Sequence, residues 1–143
     1  MPNIVTNLAK ETMISAVSGS DLKIALLDNI VLSAEDTIKD IGSWTVLSAN
    51  EISGTNYKAG GVSLSGVSAY SSDVDNRAYF NGNSVNWTNA TISAYGFSLY
   101  RSTSNLVINI VQFNGVSEGN PKISTNGTFS MAWDSNKILQ MIG

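Results

Sequence analysis

Two carboxylates and an amide stand together at Asp73-Val-Asp75-Asn76, and oxygens at this spacing could hold a calcium ion. An EF-hand loop would continue to a glycine and then to a glutamate at its twelfth place, and neither is where it should be. The spacing favours a turn between strands, with Asp and Asn bonding locally. The chain has 11 acids: Glu11, Asp21, Asp28, Glu35, Asp36, Asp40, Glu51, Asp73, Asp75, Glu118 and Asp134. A pair of them could run glycoside hydrolysis. Most, however, fall at expected helix starts, strand ends or turns, and none lies in a run that suggests a desolvated pocket. Lys58-Ala-Gly60-Gly61 lacks the order of a phosphate-cradling loop and reads as a bulge or tight bend.

The residue types exclude more. Among 143 residues there is no histidine and no cysteine. Imidazole bases, thiol nucleophiles, disulfides and ordinary structural zinc sites are therefore out. The sequence predicts no enzyme, no cofactor and no metal. Eight Lys and Arg, scattered through a chain of net charge −3, make no basic stripe for phosphates. No apolar run is long enough to span a membrane, and the first residues lack the layout of a signal peptide. The sequence thus predicts a soluble protein made in the cytoplasm, with neither nucleic acid nor membrane as a partner.

Three triplets, Asn86-Trp-Thr88, Asn89-Ala-Thr91 and Asn126-Gly-Thr128, match a glycosylation acceptor pattern and arise by chance in a chain so rich in Asn and Thr. The rings of Trp44, Trp87, Trp133, Tyr57, Tyr70, Tyr79, Tyr95 and Tyr100 would make a sugar-binding face only if they shared an exposed surface. Their alternating placement points instead to core and half-buried sheet positions.

The elements that must position these groups follow from periodicity. Asn3 to Val17 is predicted as a helix, with Leu8, Met13 and Ile14 at a rough helical spacing and Asn3 or Thr6 as its cap. Asp21 to Asp28 reads as a strand. Ser33, Glu35 and Asp36 open a second short helix that Gly42 ends. Ser43 to Leu47 suggests a short strand carrying Trp44. From about residue 54, alternation of period two takes over. Val62 and Leu64, Ala78 and Phe80, Val85 and Trp87, Leu106 to Val111, and Phe129 to Trp133 all show it. Thr91 to Leu99 reads as one long strand. Gly60-Gly61, Asn81-Gly82, Asn114-Gly115 and Asn126-Gly127 are turn signals. The expectation is a mainly β chain, an antiparallel β-sandwich or jelly-roll-like barrel with a short helical N-terminal portion. Residues 1–50 would carry an arm, helices and the first strand, and residues 51–143 the β-domain, within one compact domain overall.

The stretch from about Glu51 onward resembles small virion structural proteins of tailed bacteriophages. The residues that carry the resemblance begin with the glycine loop and strand Tyr57-Lys-Ala-Gly60-Gly61-Val62-Ser-Leu64. The segment Trp87-Thr88-Asn89-Ala90-Thr91-Ile92-Ser93-Ala94 and the strand Phe97-Ser-Leu99-Tyr100 follow. The apolar strand Leu106 to Phe113 and the hairpin Gly127 to Trp133, leading to Ile138-Leu139, complete it. The pattern covers nearly two thirds of the chain and contains no catalytic motif. One departure stands at Ala94-Tyr95-Gly96, where such proteins often carry a basic residue, so no role of that residue is carried over.

The resemblance implies a virion structural protein, foremost a capsid decoration or cement protein that stabilises the head. The alternative it leaves is a tail, fibre or head–tail accessory, including a carbohydrate-binding one. Its partners would be the major capsid protein and copies of itself, with a homotrimer as the expected assembly, and its place the virion. In capsid-bound proteins of this kind the N-terminal segment often serves as an arm. That would make Pro2, Asn3, Ile4, Val5 and Leu8 the contact residues. A surface rich in Ser, Thr and Asn, at roughly a third of the chain, fits dense packing of weakly charged copies.

Overall fold

The computed structural model describes residues 4–16, 19–28, 41–74, 76–113, 120–133 and 138–142. The chain is mainly β, with antiparallel sheets and a short N-terminal helix. The helix expected at Ser33, the turn at Asn114-Gly115, and the residues Pro2, Asn3 and Asp75 lie outside the described residues.

Contacts divide the chain into two units, each woven from separate segments. The first comprises residues 1–20, 64–85 and 131–143, and the second residues 21–63 and 86–130. No division falls at residue 50, which lies inside the second unit.

In the first unit, helix α1 (Asn7–Ser15) begins at Thr6, whose hydroxyl accepts the Ala9 amide at 3.2 Å. The helix packs on strands β3 (Ser68–Ser72) and β4 (Arg77–Asn81), which pair antiparallel. Strand β9 (Leu139–Ile142) pairs on the other side of β4. Only part of the helical pattern is used as expected. Ile14 is buried, but Leu8 and Met13 point outward and Lys10 is buried in their stead. The reason is polar. Lys10 Nζ donates to the Asn76 carbonyl at 2.7 Å and to Asn7 Oδ1 at 3.2 Å. Asn7 donates to Asp73 at 2.8 Å, and the Ser71 hydroxyl donates to Glu11 at 2.7 Å. The helix thus turns Asn7, Lys10, Glu11 and Ile14 toward the hairpin, and a buried ammonium keeps its hydrogen bonds.

The second unit is built on a four-stranded sheet in the order β2 (Val62–Ser63), β1 (Leu22–Leu27), β6 (Gly96–Arg101), β7 (Leu106–Gln112). Strand β1 is central and apolar, and five of its six residues are buried. Ile24 faces Leu99, and Leu26 faces Phe97. A second pair joins β5 (Val85–Ala94) to β8 (Lys122–Met131). In β5 the alternation runs in two stretches, Val85 and Trp87 buried and then Ala90, Ile92 and Ala94, with a slip of one residue at Thr88-Asn89, where Asn89 stands at φ 49°. An aromatic file ties these strands together. Phe97, Phe113, Phe129, Trp87 and Tyr57 follow one another with ring centroids 5.9–6.0 Å apart.

Three local expectations are corrected. Thr91 to Leu99 is two strands, because the chain turns a corner at Tyr95 and passes from one sheet to the other. The Tyr95 amide donates to Leu27 O at 2.9 Å, and a Cβ on Gly96 would lie 2.1 Å from Val111 O, so only glycine fits the corner. Ser43 to Leu47 is a helical turn, α2 (Trp44–Leu47), and not a strand. Ser43 Oγ caps it by accepting the Thr45 amide, and the Trp44 ring stacks on Tyr100 at 4.2 Å with 9° between planes. That stack, worth about 1 kcal/mol beyond burial, outweighs the strand preference of Thr45 and Val46. Asn126-Gly127 is not a hairpin turn but an irregularity inside β8, with Asn126 at φ 49° and its amide held by Thr91 Oγ1 at 3.0 Å.

Candidate functional site

Among the expected contact residues, Ile4 is 86% and Leu8 72% exposed, and Val5 is also exposed. Met13 on α1 and Val74 in the β3–β4 turn are exposed apolar residues of the same unit. Asn7, beside Leu8, donates to Asp73, beside Val74, and so ties the start of the helix to the end of β3. Helix α1, which carries Leu8 and Met13, is fastened by Lys10, Glu11 and Ile14, so these two project from a fixed base.

Among the described residues the acids do not gather. Asp21 accepts from Arg101 at 3.1 Å and also from the Thr103 hydroxyl. The Arg101 guanidinium, followed by Thr103, holds the Asp21 carboxyl down at about 2. Glu51 accepts from the Tyr57 hydroxyl and the Gly60 amide, both at 2.7 Å. Asp73 and Glu11 belong to the α1 fastening. Among the described residues no three His, Cys, Asp or Glu side chains converge on a point where a metal could bind. None of the described helices is long and apolar enough to cross a membrane. The segment Asp73 to Asn76 connects paired strands, with Asn76 at φ 54°.

None of the eight rings is fully exposed. Trp44, Trp87, Tyr79 and Tyr100 are buried, and Tyr57, Tyr70, Tyr95 and Trp133 are half-buried.

A cleft of about 560 Å³ lies within the second unit, lined by Asn56, Tyr57, Lys58, Val62, Asn86, Trp87, Thr88 and Asn89. One wall is the loop 54–58 and the other is the start of β5. Thr55 and Thr91 exchange backbone hydrogen bonds at 3.2 and 3.3 Å, and the Asn56 amide donates to Asn89 O at 2.7 Å. Gly54 makes this approach possible, since a Cβ there would stand 2.5 Å from Thr91 O. Asn56 and Asn89 both adopt left-handed backbone angles, at φ 60° and 49°. Tyr57 is fixed from behind: its hydroxyl donates to Glu51 and accepts the Leu26 amide at 3.0 Å. Burial, then the Glu51 hydrogen bond, push the Tyr57 phenol well above its ordinary range. The Trp87 indole N–H is buried and has no acceptor among the described residues.

The cleft was not legible as a site. Its residues Asn86, Thr88 and Asn89 stood out only as chance acceptor triplets, and nothing in the sequence brought the loop 54–58 beside them.

Comparison with known protein families, with characterised proteins and with solved structures finds no match.

Proposed function

We propose that this chain is a bacteriophage virion structural protein, foremost a capsid decoration protein that binds the head through its N-terminal segment. The observation that carries this reading is the run of exposed apolar residues Ile4, Val5 and Leu8, the first two leading into helix α1 and the third on the helix away from the fastened residues Lys10 and Ile14. Burying such residues against a partner surface is favourable by about 25 cal/mol per Å², and contiguous exposed apolar residues are a common mark of an interaction site. The sequence resemblance from Tyr57 onward supports the same reading, and the partners it supplies are the major capsid protein and further copies of this chain. The alternative is a tail or fibre accessory on the same virion.

Copy number in purified virions tests the assignment: hundreds of copies per particle are expected of a decoration protein, by the arithmetic of a capsid shell. Finding the protein only at the tail tip sinks it. The contact segment is tested with the double variant Ile4→Ser, Leu8→Ser. These side chains are exposed, so folding is expected to be unchanged while binding to bare capsids weakens by about tenfold or more. Unchanged binding removes the segment from the interface. A deletion reaching to residue 17 is a poorer test, because it takes away Lys10 and Ile14, which are packed against the hairpin.

A further inference from the structure

We propose that the cleft between the loop 54–58 and the start of β5 binds a short acidic saccharide, with Lys58 meeting a uronic carboxylate. This does not rest on the virion reading.

The argument starts from what is committed and what is free. The walls are held by the Thr55–Thr91 bonds and by Asn56 to Asn89 O, and the floor by Tyr57 on Glu51 and the Leu26 amide. The shape therefore exists before any ligand arrives, which lowers the ordering cost of binding. By contrast, the side chains of Lys58, Asn86, Thr88 and Asn89 are exposed and make no hydrogen bond or ion pair among the described residues. The buried Trp87 indole N–H, the one such side-chain donor without an acceptor among the described residues, belongs to the same lining.

The chemistry of the free groups selects the ligand. Each Asn carboxamide and the Thr88 hydroxyl both donates and accepts, which matches the hydroxyls of a sugar ring. Lys58 is the one charged residue of the lining, and no carboxylate lines the cleft. A single ammonium suits a single carboxylate. A phosphate would call for more positive charge, for arginine, or for a helix N-terminus, and the lining has none of these. A volume of about 560 Å³ takes an oligosaccharide rather than one ring.

The test is a titration of the ¹⁵N-labelled full chain with tetragalacturonate, with maltotetraose and tetraglutamate as comparators. The Trp87 indole N–H and the Asn86 and Asn89 side-chain amides are distinct reporters. Tetragalacturonate is expected to shift them, and Lys58→Gln or Asn86→Ala to weaken binding by about tenfold. Both replacements are at exposed positions, so the folded spectrum is expected to persist. Shifts absent at saturating probe, or confined to other residues, overturn the site. Equal binding of maltotetraose overturns the role of Lys58. Binding of tetraglutamate in preference to the uronate overturns the saccharide. None of these outcomes bears on where the protein sits in a virion.

Discussion

The Tyr57 hydroxyl donates to Glu51 Oε1 at 2.7 Å while accepting the Leu26 amide at 3.0 Å. One phenol thus joins the loop 51–61 to the central strand β1. Tyr57→Phe leaves both a carboxylate and a strand amide short of a partner. It is expected to cost about 1–3 kcal/mol, read as a lower midpoint in urea unfolding with an unchanged slope. An unchanged midpoint would mean that the loop is held by the Gly60 amide and the Tyr100 hydroxyl alone.

The same phenol governs behaviour in alkali. Tyr57 and Tyr100 are both raised above the ordinary value of 10.0, chiefly by burial, with Glu51 adding to each. The folded state therefore keeps these groups neutral where the unfolded chain would ionise them. Their contribution is fully present below pH 10 and is lost as pH rises beyond it. Absorbance of tyrosinate at alkaline pH is expected to show these two tyrosines ionising only together with unfolding. Early, reversible ionisation of all five tyrosines would contradict their burial.

Acid acts through Asp21. Its carboxyl is lowered from 3.8 to about 2, first by the hydrogen bond from Arg101 and then by that from Thr103. A lowered carboxylate stabilises the fold above its unfolded value, and that contribution disappears as pH falls from about 3.8 toward 2. Asp21→Asn is expected to flatten the loss of stability across this window, as measured by thermal melts at stepped pH. An identical acid profile in the variant would place the acid sensitivity at other carboxylates.

Gly61 sits at φ 77°, and a Cβ there would come 1.9 Å from Ile24 O. The backbone angle and the contact both oppose any side chain. Gly61→Ala is expected to destabilise by more than about 3 kcal/mol, and Gly60→Ala by less. At Gly60 the nearest atom is a tyrosine oxygen at 3.4 Å, leaving the φ of 91° as the main obstacle. A fluorescence-monitored melt of both variants checks the order.

Legibility in the sequence followed the range of the forces. The apolar run in β1 and the alternation on either side of Asn89 in β5 come from local pattern and stand in the structure, whereas the slip at Asn89 itself does not follow from that pattern. The Asn surplus is plain in the sequence, but where the fold uses it is not. The Asn-Gly pairs were read as hairpins, yet Asn126 lies inside a strand. The described left-handed positions outside glycine are Asn56, Asn76, Asn89, Asn105 and Asn126, and only the last precedes a glycine. Asn tolerates that conformation through its own short side chain. The outward turn of Leu8 was not legible, because it depends on the Asn76 carbonyl that Lys10 finds far along the chain. The Tyr95 corner likewise depends on Leu27 O and Val111 O, and the cleft on a loop and a strand brought together by Thr55 and Thr91.

The central place of β1 has a consequence for synthesis. Ile24 pairs with Leu99 on one side and with Val62 on the other. During translation the apolar strand emerges before both of its neighbours and waits for them. Its β6 partner arrives only after β2, β3, β4 and β5 have been made. Non-local pairing of this kind slows folding and leaves an aggregation-prone strand uncovered meanwhile. Expression at low temperature, or with a chaperone that shields nascent strands, would bear on how much protein survives that interval.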